Sequence, residues 1–258
     1  MSDVVVDRVR RTCVIAINRP EARNALTRGV LATMRDALHA AASDHEVRVV
    51  VVTGQGGHFC AGADLRKNLE DPEMMDKLDA YLDDFHSVIK AIVRCPKPTI
   101  AMMDGAAVGF GADIALACDL RVATTAAYVQ EKFVKIGLMP DGGGTFWLPH
   151  LVGLSRALRM ILLAEKVDGQ TMLDLGLLVK LVSPPQLREA TMALAVEIAK
   201  GPPLAYAAIK SAVYASSGSI DDALKREREG QLKLLRSADC LEGITAWAQK
   251  RDPDFQGR

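Results

Sequence analysis

The sequence has few aromatic residues, no net charge and no long hydrophobic run. Aromatic side chains make up 5% of the 258 residues, and 32 basic residues balance 32 acidic ones. A chain without excess positive charge does not favour nucleic acid or a membrane surface as a partner. No apolar run approaches the roughly 20 residues of a membrane-spanning helix. The opening MSDVVVDR also lacks the regions of a signal peptide, so we expect a cytoplasmic protein.

Cysteine is scarce and widely spaced. The five cysteines form no CxxC pair, so we expect no metal site and no disulfide framework, but reduced thiols in the interior; they are Cys13, Cys60, Cys95, Cys118 and Cys240. Cys60 follows His58 closely enough to raise the alternative of an activated nucleophile. We expect packing to be its role instead.

The first part of the chain alternates strand and helix patterns. Strands are predicted at TCVIAIN, VRVVVVT, PTIAMMDG and DLRVAT. A helix is predicted after Thr27, with an apolar stripe at Leu31, Met34, Leu38 and Ala41. A second helix carries Met75, Leu78, Leu82, Phe85, Ile89 and Ile92 on one side. The fold class is therefore α/β, built from repeated ββα units.

Strands largely stop from about Ser155 onward. The remaining segments have helical periodicity, and several carry apolar faces that one core is unlikely to cover. We place a loose boundary between an α/β core at 1–195 and a helical region at 196–258. The helical region is expected to pack on the core or on another subunit.

Two glycine-rich turns follow apolar strands. AAVGFGADIALACDL (106–120) opens from such a turn into an apolar helix, and HFCAGADL (58–65) leaves the end of a β-branched run. A turn of this kind aims free backbone N–H groups and the positive end of a helix dipole at one point, where a negative oxygen can be held. An ordinary strand-to-helix turn is the alternative for either loop alone.

The two turns, with NRPEARNAL before them and FVKIGLMPDGGGT (133–145) after them, resemble the signatures of the crotonase superfamily of enoyl-CoA hydratases and isomerases. The resemblance runs the whole length of the chain and implies a crotonase-like spiral of ββα units. It also implies that an acyl-CoA thioester oxygen binds between the backbone N–H groups of Ala63 and Phe110. The family usually has glycine in place of Phe110, so we expect this ring to narrow or shape the acyl pocket.

The positions of acidic residues distinguish a hydratase from an isomerase in this superfamily. The resemblance places the two hydratase glutamates at Asp113 and Phe133, and a phenylalanine cannot transfer a proton. Asp141 occupies the position of the acid/base aspartate in the ring-degradation and Δ3,Δ2-enoyl-CoA isomerase branch. One aspartate whose pKa is raised by desolvation can move a proton between two carbons. We therefore expect an isomerase with Asp141 as its base.

Each acid also has a structural interpretation. Asp113 falls in the first turn of a helix, where the dipole favours any carboxylate, and Pro-Asp-Gly at Asp141 is a common turn. Glu131 is a reserve candidate, because in a strand it points to the same face as Phe133, although a solvated edge charge is the favoured interpretation. His86 lies between Phe85 and Val88 and is expected to be structural.

The resemblance also implies how CoA binds and how the chain assembles. Arg23, Ala25 and Leu26 are expected near the nucleotide, together with the backbone of Ala61, Asp64 and Leu65. Phe255 and Arg258 match aromatic and basic residues that reach a neighbouring subunit's CoA, and a guanidinium suits phosphate oxygens. Trimers, often stacked as hexamers, are expected. No separate cofactor is expected, since coenzyme A is part of the substrate.

Three alternatives to the isomerase remain open. The first is an enoyl-CoA hydratase in which Asp113 and Asp141 share the water. The second keeps Asp141 as a nucleophile, as in the aryl-CoA dehalogenases of the superfamily. The third is a non-catalytic acyl-CoA-binding protein.

Overall fold

The computed structural model of the chain describes residues 2–70, 77–215 and 219–258. Within these residues the strands are β1 (Val4–Val9), β2 (Thr12–Ile17), β3 (Val49–Gly54), β4 (Thr99–Met103), β5 (Ala106–Val108), β6 (Leu120–Thr124), β7 (Tyr128–Gln130), β8 (Val167–Asp168) and β9 (Lys180–Val182). The helices are α1 (Arg28–Ser43), α2 (Leu65–Leu69), α3 (Leu78–Arg94), α4 (Phe110–Ala117), α5 (Gly144–Val152), α6 (Leu154–Leu162), α7 (Gly169–Asp174), α8 (Leu187–Ala199), α9 (Pro203–Tyr214), α10 (Ile220–Leu234) and α11 (Ala238–Gln249).

A six-stranded sheet forms the centre of the fold, in the order β1-β2-β3-β4-β6-β9. The strands β2, β3, β4, β6 and β9 run parallel, and β1 pairs antiparallel with β2. A smaller sheet has the order β5-β7-β8. Successive turns of the chain give one strand to each sheet, β4 then β5 and β6 then β7. This alternation is the predicted spiral of ββα units, and the fold class is confirmed.

Both faces of the large sheet are covered, which explains the run of valines in β3. Val50 and Val52 face the main core with α1 and α3, and Val49 and Val51 face a second core formed with α8. A strand buried on both sides reads as continuous apolar sequence rather than as an alternation. The parallel strands all end at one edge, so the loops after β3 and β4 emerge there together.

The predicted helix after Thr27 is α1. The Thr27 hydroxyl accepts a hydrogen bond from the backbone N–H of Val30, and the predicted apolar stripe is buried. In α3, Phe85 and Ile92 are buried, but Leu78 and Leu82 are exposed, so the buried stripe is shorter than predicted. Met75 lies outside the described residues.

Strand structure continues beyond Ser155, where helices alone were expected. The dipeptide β8 joins the small sheet, and β9 pairs with β6 at the edge of the large sheet. Elements of two or three residues are too short to give a periodic signal. Residue 195 lies within α8, and the division into a core at 1–195 and a helical region at 196–258 stays a prediction.

The last three helices carry much of the exposed apolar surface. Neither α9 nor α10 has a buried residue, and large apolar side chains on α9, α10, α11 and the turn between α10 and α11 are exposed: Ile209, Val213, Ile220, Leu224, Leu232, Leu235, Leu241, Ile244 and Trp247. Among the helices in the described ranges, none has the length and apolar character that crossing a bilayer requires.

Candidate active site

The two glycine-rich loops lie side by side at the carboxyl ends of the parallel strands. Cys60 in the first loop donates its N–H to Ala106 at 2.8 Å, and its carbonyl accepts from Val108 at 2.9 Å. A Cβ on Gly111 would stand 2.3 Å from the Cys60 carbonyl oxygen, so the loops can approach this closely only because residue 111 is glycine. The contact fixes the start of α4 against the first loop.

Two backbone donors are left free where the loops meet. Within the described part of the chain, the N–H groups of Ala63 and Phe110 donate to no acceptor, and Phe110 is the first residue of α4. A Cβ on Gly62 would lie 3.5 Å from the nitrogen of Phe110, which shows how closely the two loops approach each other. Neighbouring free donors at a helix N-terminus can hold an oxyanion. The resemblance assigns the thioester oxygen to these two N–H groups, and that assignment stays a prediction.

The Phe110 ring points into the core. It is 2% exposed and packs edge-on against Phe85 of α3, with the ring centroids 4.7 Å apart. Since almost none of its surface is free, the ring has little to offer an acyl group directly. The ring anchors α4 on α3, and the expectation that it narrows or shapes the acyl pocket stays a prediction.

Asp113 lies in the first turn of α4 and is fully buried. Its Oδ2 accepts a hydrogen bond at 3.0 Å from the backbone N–H of Gly142. Desolvation, reinforced by the charge of Asp141, raises the pKa of Asp113 to about 7, although the N–H groups of Gly142 and Gly144 oppose the shift. Asp113 is more than a carboxylate that stabilises its own helix, because it connects α4 to the loop that carries Asp141.

Glu131 is buried, which corrects its interpretation as a solvated edge charge. It follows β7 and is 2% exposed, and neither of its carboxyl oxygens has a hydrogen-bond partner among the described residues. Desolvation and the neighbouring charges of Asp113 and Asp141 raise its pKa to about 9. The prediction was wrong because the preceding strand β7 belongs to the small sheet. A strand of three residues is too short to be recognised from the sequence pattern.

Asp141 stands in the loop before α5, half-buried, with its Oδ1 unpartnered among the described residues. Desolvation raises the pKa of Asp141, and the charge of His86 opposes that rise. We therefore expect His86 on α3 to act electrostatically on the predicted base, which its sequence context did not indicate. A carboxylate with a raised pKa and a free oxygen can accept and return a proton.

Phe133 begins a short 3-10 turn, Phe133–Ile136, before the loop that holds Asp141. Its ring lies 3.8 Å from the position that a Cβ on Gly109 would take, so it faces the turn that opens α4. Gly109 has φ +53, a conformation that favours glycine. The position that the resemblance assigns to a second hydratase carboxylate thus holds an apolar ring beside the free N–H of Phe110.

The predicted CoA-binding segments lie together. Leu26 and Ala63 form a β-bridge, and Ala61 donates its N–H to the carbonyl of Arg23 at 3.0 Å. Arg23 is exposed and has φ +51, whereas Ala25 and Leu26 are buried and their backbone groups are hydrogen-bonded within the protein, so their contact with a ligand stays a prediction. Leu65 begins α2 and is exposed.

Arg19, which the sequence reading did not single out, holds these segments together. Its buried guanidinium donates to the Ala25 carbonyl at 2.5 Å and to Oδ2 of Asp64 at 2.9 Å. Burial opposes ionisation of Asp64, but its hydrogen bond and ion pair with Arg19 outweigh burial and lower its pKa. The carboxylate of Asp64 is thus engaged in the scaffold.

Phe255 and Arg258 lie far from the acidic cluster of the same chain, which consists of Asp113, Glu131 and Asp141. The carbonyl of Phe255 accepts from Arg48 at 3.2 Å, and that of Arg258 accepts from the N–H of Asp239 at 3.2 Å. Arg48 immediately precedes β3 and so lies at the amino ends of the parallel strands, whereas the two loops lie at their carboxyl ends. The structure therefore does not bring the C-terminal residues to the site within one chain. Their contact with a neighbouring subunit's CoA stays a prediction.

The cysteine thiols are not placed for nucleophilic catalysis or for metal binding. Cys60 is fully buried, and burial raises its pKa to about 12, so a nucleophilic thiolate is disfavoured there. Cys13, Cys95 and Cys118 are also buried, and all five thiols are free. Among the residues that the structure describes, no group of three histidine, cysteine or acidic side chains could hold a metal ion.

Comparison with known proteins shows similarity to one enzyme family along nearly the whole chain. The sequence profile of the family described as enoyl-CoA hydratase/isomerase matches residues 8–258. The chain is 37% identical to 2,3-dehydroadipyl-CoA hydratase and 31% identical to 1,2-epoxyphenylacetyl-CoA isomerase, both of Escherichia coli K12, and each comparison covers 100% of both chains. The crystal structure of an enoyl-CoA hydratase from Polaromonas sp. JS666 matches with a TM-score of 0.93 at 33% identity, over 98% of this chain and 99% of that one.

Proposed function

This chain belongs to the enoyl-CoA hydratase/isomerase family, and from the arrangement of its acids we propose that it is an enoyl-CoA isomerase that moves a C=C bond by a 1,3-proton shift. The observation that carries the proposal is that the site has an acid at Asp141 and an apolar side chain at Phe133. A carboxylate with a raised pKa and a free oxygen stands in the loop before α5, and the position expected for a second hydratase carboxylate holds an apolar ring.

In the proposed reaction the thioester oxygen accepts hydrogen bonds from the N–H groups of Ala63 and Phe110. Asp141 removes a proton from the carbon next to the thioester, and the electron pair moves through the conjugated system onto that oxygen. The two donors stabilise the resulting enolate, and each donor of this kind is typically worth roughly 2.7–4 kcal/mol. Asp141 then returns the proton two carbons away, and the double bond becomes conjugated with the thioester.

Substitution of each acid by its amide tests the assignment. Asp141→Asn removes the base with little change in volume and should lower conversion of a 3-enoyl-CoA to the 2-enoyl isomer by about 10²- to 10⁴-fold. Asp113→Asn should cost less, because its effect is electrostatic or positional. The conversion is followed through the ultraviolet absorption of the conjugated thioester, which mere binding leaves unchanged. Full activity of folded Asp141→Asn would overturn the proposal.

Hydration of a 2-enoyl-CoA is the second candidate, and the proximity of two acids favours it. The charge of Asp141 contributes to the raised pKa of Asp113, and Gly142, the residue next to Asp141, donates its N–H to Asp113, so the two acids belong to one site. Two of the three proteins compared above are named hydratases. Rapid hydration by the wild type, with Asp113→Asn more damaging than Asp141→Asn, would favour this reaction over isomerisation.

The expected assembly is also a proposal. A trimer, or a hexamer of two trimers, would cover the apolar side chains that α9, α10 and α11 expose. Exposed apolar patches of this extent are uncommon on monomers. The acyl-CoA thioester remains the substrate class in each of these assignments.

A further inference from the structure

Glu131 is a buried carboxyl group that the proposed reaction does not use. We propose that Glu131 is a positioning residue for Asp113, and that the two carboxyl groups share one proton across the backbone of Gly144. The proposal concerns the same acidic cluster as the proposed function, but the shared proton can be detected whether or not the reaction is isomerisation.

The geometry brings the two groups to one point. A Cβ on Gly144 would lie 2.7 Å from Oδ1 of Asp113 and 2.8 Å from Oε1 of Glu131, so both oxygens face the bare Cα of this glycine. Neither oxygen has another hydrogen-bond partner among the described residues. The Glu131 carboxyl group also has no hydrogen bond among the described residues that it must break in order to rotate toward Asp113.

The surrounding charges favour a single proton in this pair. Glu131 is 2% exposed and Asp113 is fully buried, so ionisation of both would place two charges side by side without solvent. The charged groups that act on Glu131 are Asp113 from α4 and Asp141 from the loop before α5, and both are acids. The charge of His86 of α3 acts on Asp141, whereas no cation in the described part of the chain contributes to the pKa shift of Asp113 or Glu131.

A protonated Glu131 gives Asp113 a side-chain donor in addition to the backbone N–H groups that already act on it. Oδ2 of Asp113 is held by the N–H of Gly142, and the Glu131 O–H can donate to Oδ1, which orients the carboxylate from both sides. When the proton moves from Glu131 to Asp113, the O–H bond of one acid breaks as that of the other forms. The net charge of the pair stays at one negative charge throughout this transfer.

Infrared spectroscopy detects the proton directly. At pH 8, between the pKa of about 7 for Asp113 and that of about 9 for Glu131, the folded protein should show the C=O stretch of a buried protonated carboxyl group. Glu131→Gln keeps the size and an N–H donor, and it should abolish this band. Glu189→Gln, at an exposed glutamate of α8, is the matched control and should leave the band in place. Absence of the band in wild type, or its persistence in Glu131→Gln, would overturn the proposal.

Stability gives a second readout with a defined sign. Because the pKa of Glu131 is raised in the folded state, its contribution to stability is full below its ordinary value near 4.5 and is lost as pH rises toward 9. Wild type should therefore lose more Tm between pH 5 and pH 9 than Glu131→Gln, by roughly 3 °C or more for a chain of this size. Equal losses of Tm in the two proteins would count against the buried proton.

The kinetic arm separates this inference from the proposed function. Above pH 9, loss of the Glu131 proton adds a second charge beside Asp113, so kcat/KM of the wild type should decline there and that of Glu131→Gln should not. A Glu131-dependent band in a protein without isomerase activity would refute the proposed function alone. Isomerisation that depends on Asp141 in a protein without the band would refute the role of Glu131 alone.

Discussion

The backbone N–H of Gly142 donates to Oδ2 of Asp113 at 3.0 Å, across 29 positions of sequence. This bond ties the loop before α5 to the first turn of α4, whose first N–H is one of the two free donors. Asp141 is the residue next to Gly142, so the predicted base is held in register with the predicted oxyanion hole through main-chain geometry. A site built in this way depends on backbone positions more than on particular side chains.

The free N–H of Ala63 should be required for turnover but not for CoA binding. Ala63→Pro deletes this donor, and we expect kcat to fall by about 10²- to 10³-fold while CoA affinity stays within about tenfold. Ala63→Gly keeps the N–H and serves as the control for changes in the loop. Steady-state kinetics and calorimetric titration with CoA measure the two effects. Wild-type turnover in a folded Ala63→Pro protein would remove Ala63 from the site.

The charge of His86 should set the pH at which Asp141 becomes an active base. A protonated His86 stabilises the carboxylate and lowers its pKa, so His86→Gln should raise the pKa of Asp141 further. The base is then reached only at higher pH, and the acidic limb of the kcat/KM profile should move in the alkaline direction. His39→Gln, at an exposed residue of α1, is a control for loss of a histidine. An acidic limb that stays in place would show that His86 does not act on the base.

Much of the fold could be predicted, because its helices and strands follow from patterns of neighbouring residues. The apolar stripe of α1 and the valines of β3 predict buried elements, and glycine is required at residue 111 where two loops touch. The roles of Glu131 and His86 could not be predicted in this way. Their environment is created by elements distant in sequence, Asp113 and Gly144 for one and Asp141 for the other, and no periodic pattern encodes such contacts.

The apolar side chains of α11 should mediate self-association. Trp247 is 82% exposed and Ile244 is 59% exposed, so a charge at Ile244 would be buried if this face is an interface. Ile244→Glu should therefore shift the sedimentation mass from a trimer or hexamer toward the monomer, since an unpaired buried charge is costly. Ala40→Glu, at an exposed position of α1, should leave the mass unchanged. A wild-type protein that sediments as a monomer at micromolar concentration would contradict the proposed assembly.

The identity of residue 133 should control the balance between isomerisation and hydration. Phe133→Glu places a carboxylate beside the turn that opens α4, where the ring now lies 3.8 Å from the position of a Cβ on Gly109. Together with Asp113 it would supply the two acids that hold and activate water, so the ratio of hydration to isomerisation should rise. Phe133→Gln has the size and polarity of the glutamate without its charge, and it should lower isomerisation without raising hydration. The two products are separated by chromatography of the acyl-CoA mixture. If Phe133→Gln and Phe133→Glu give the same product ratio, residue 133 does not line the reacting carbons, and the absence of a second glutamate no longer argues for the isomerase.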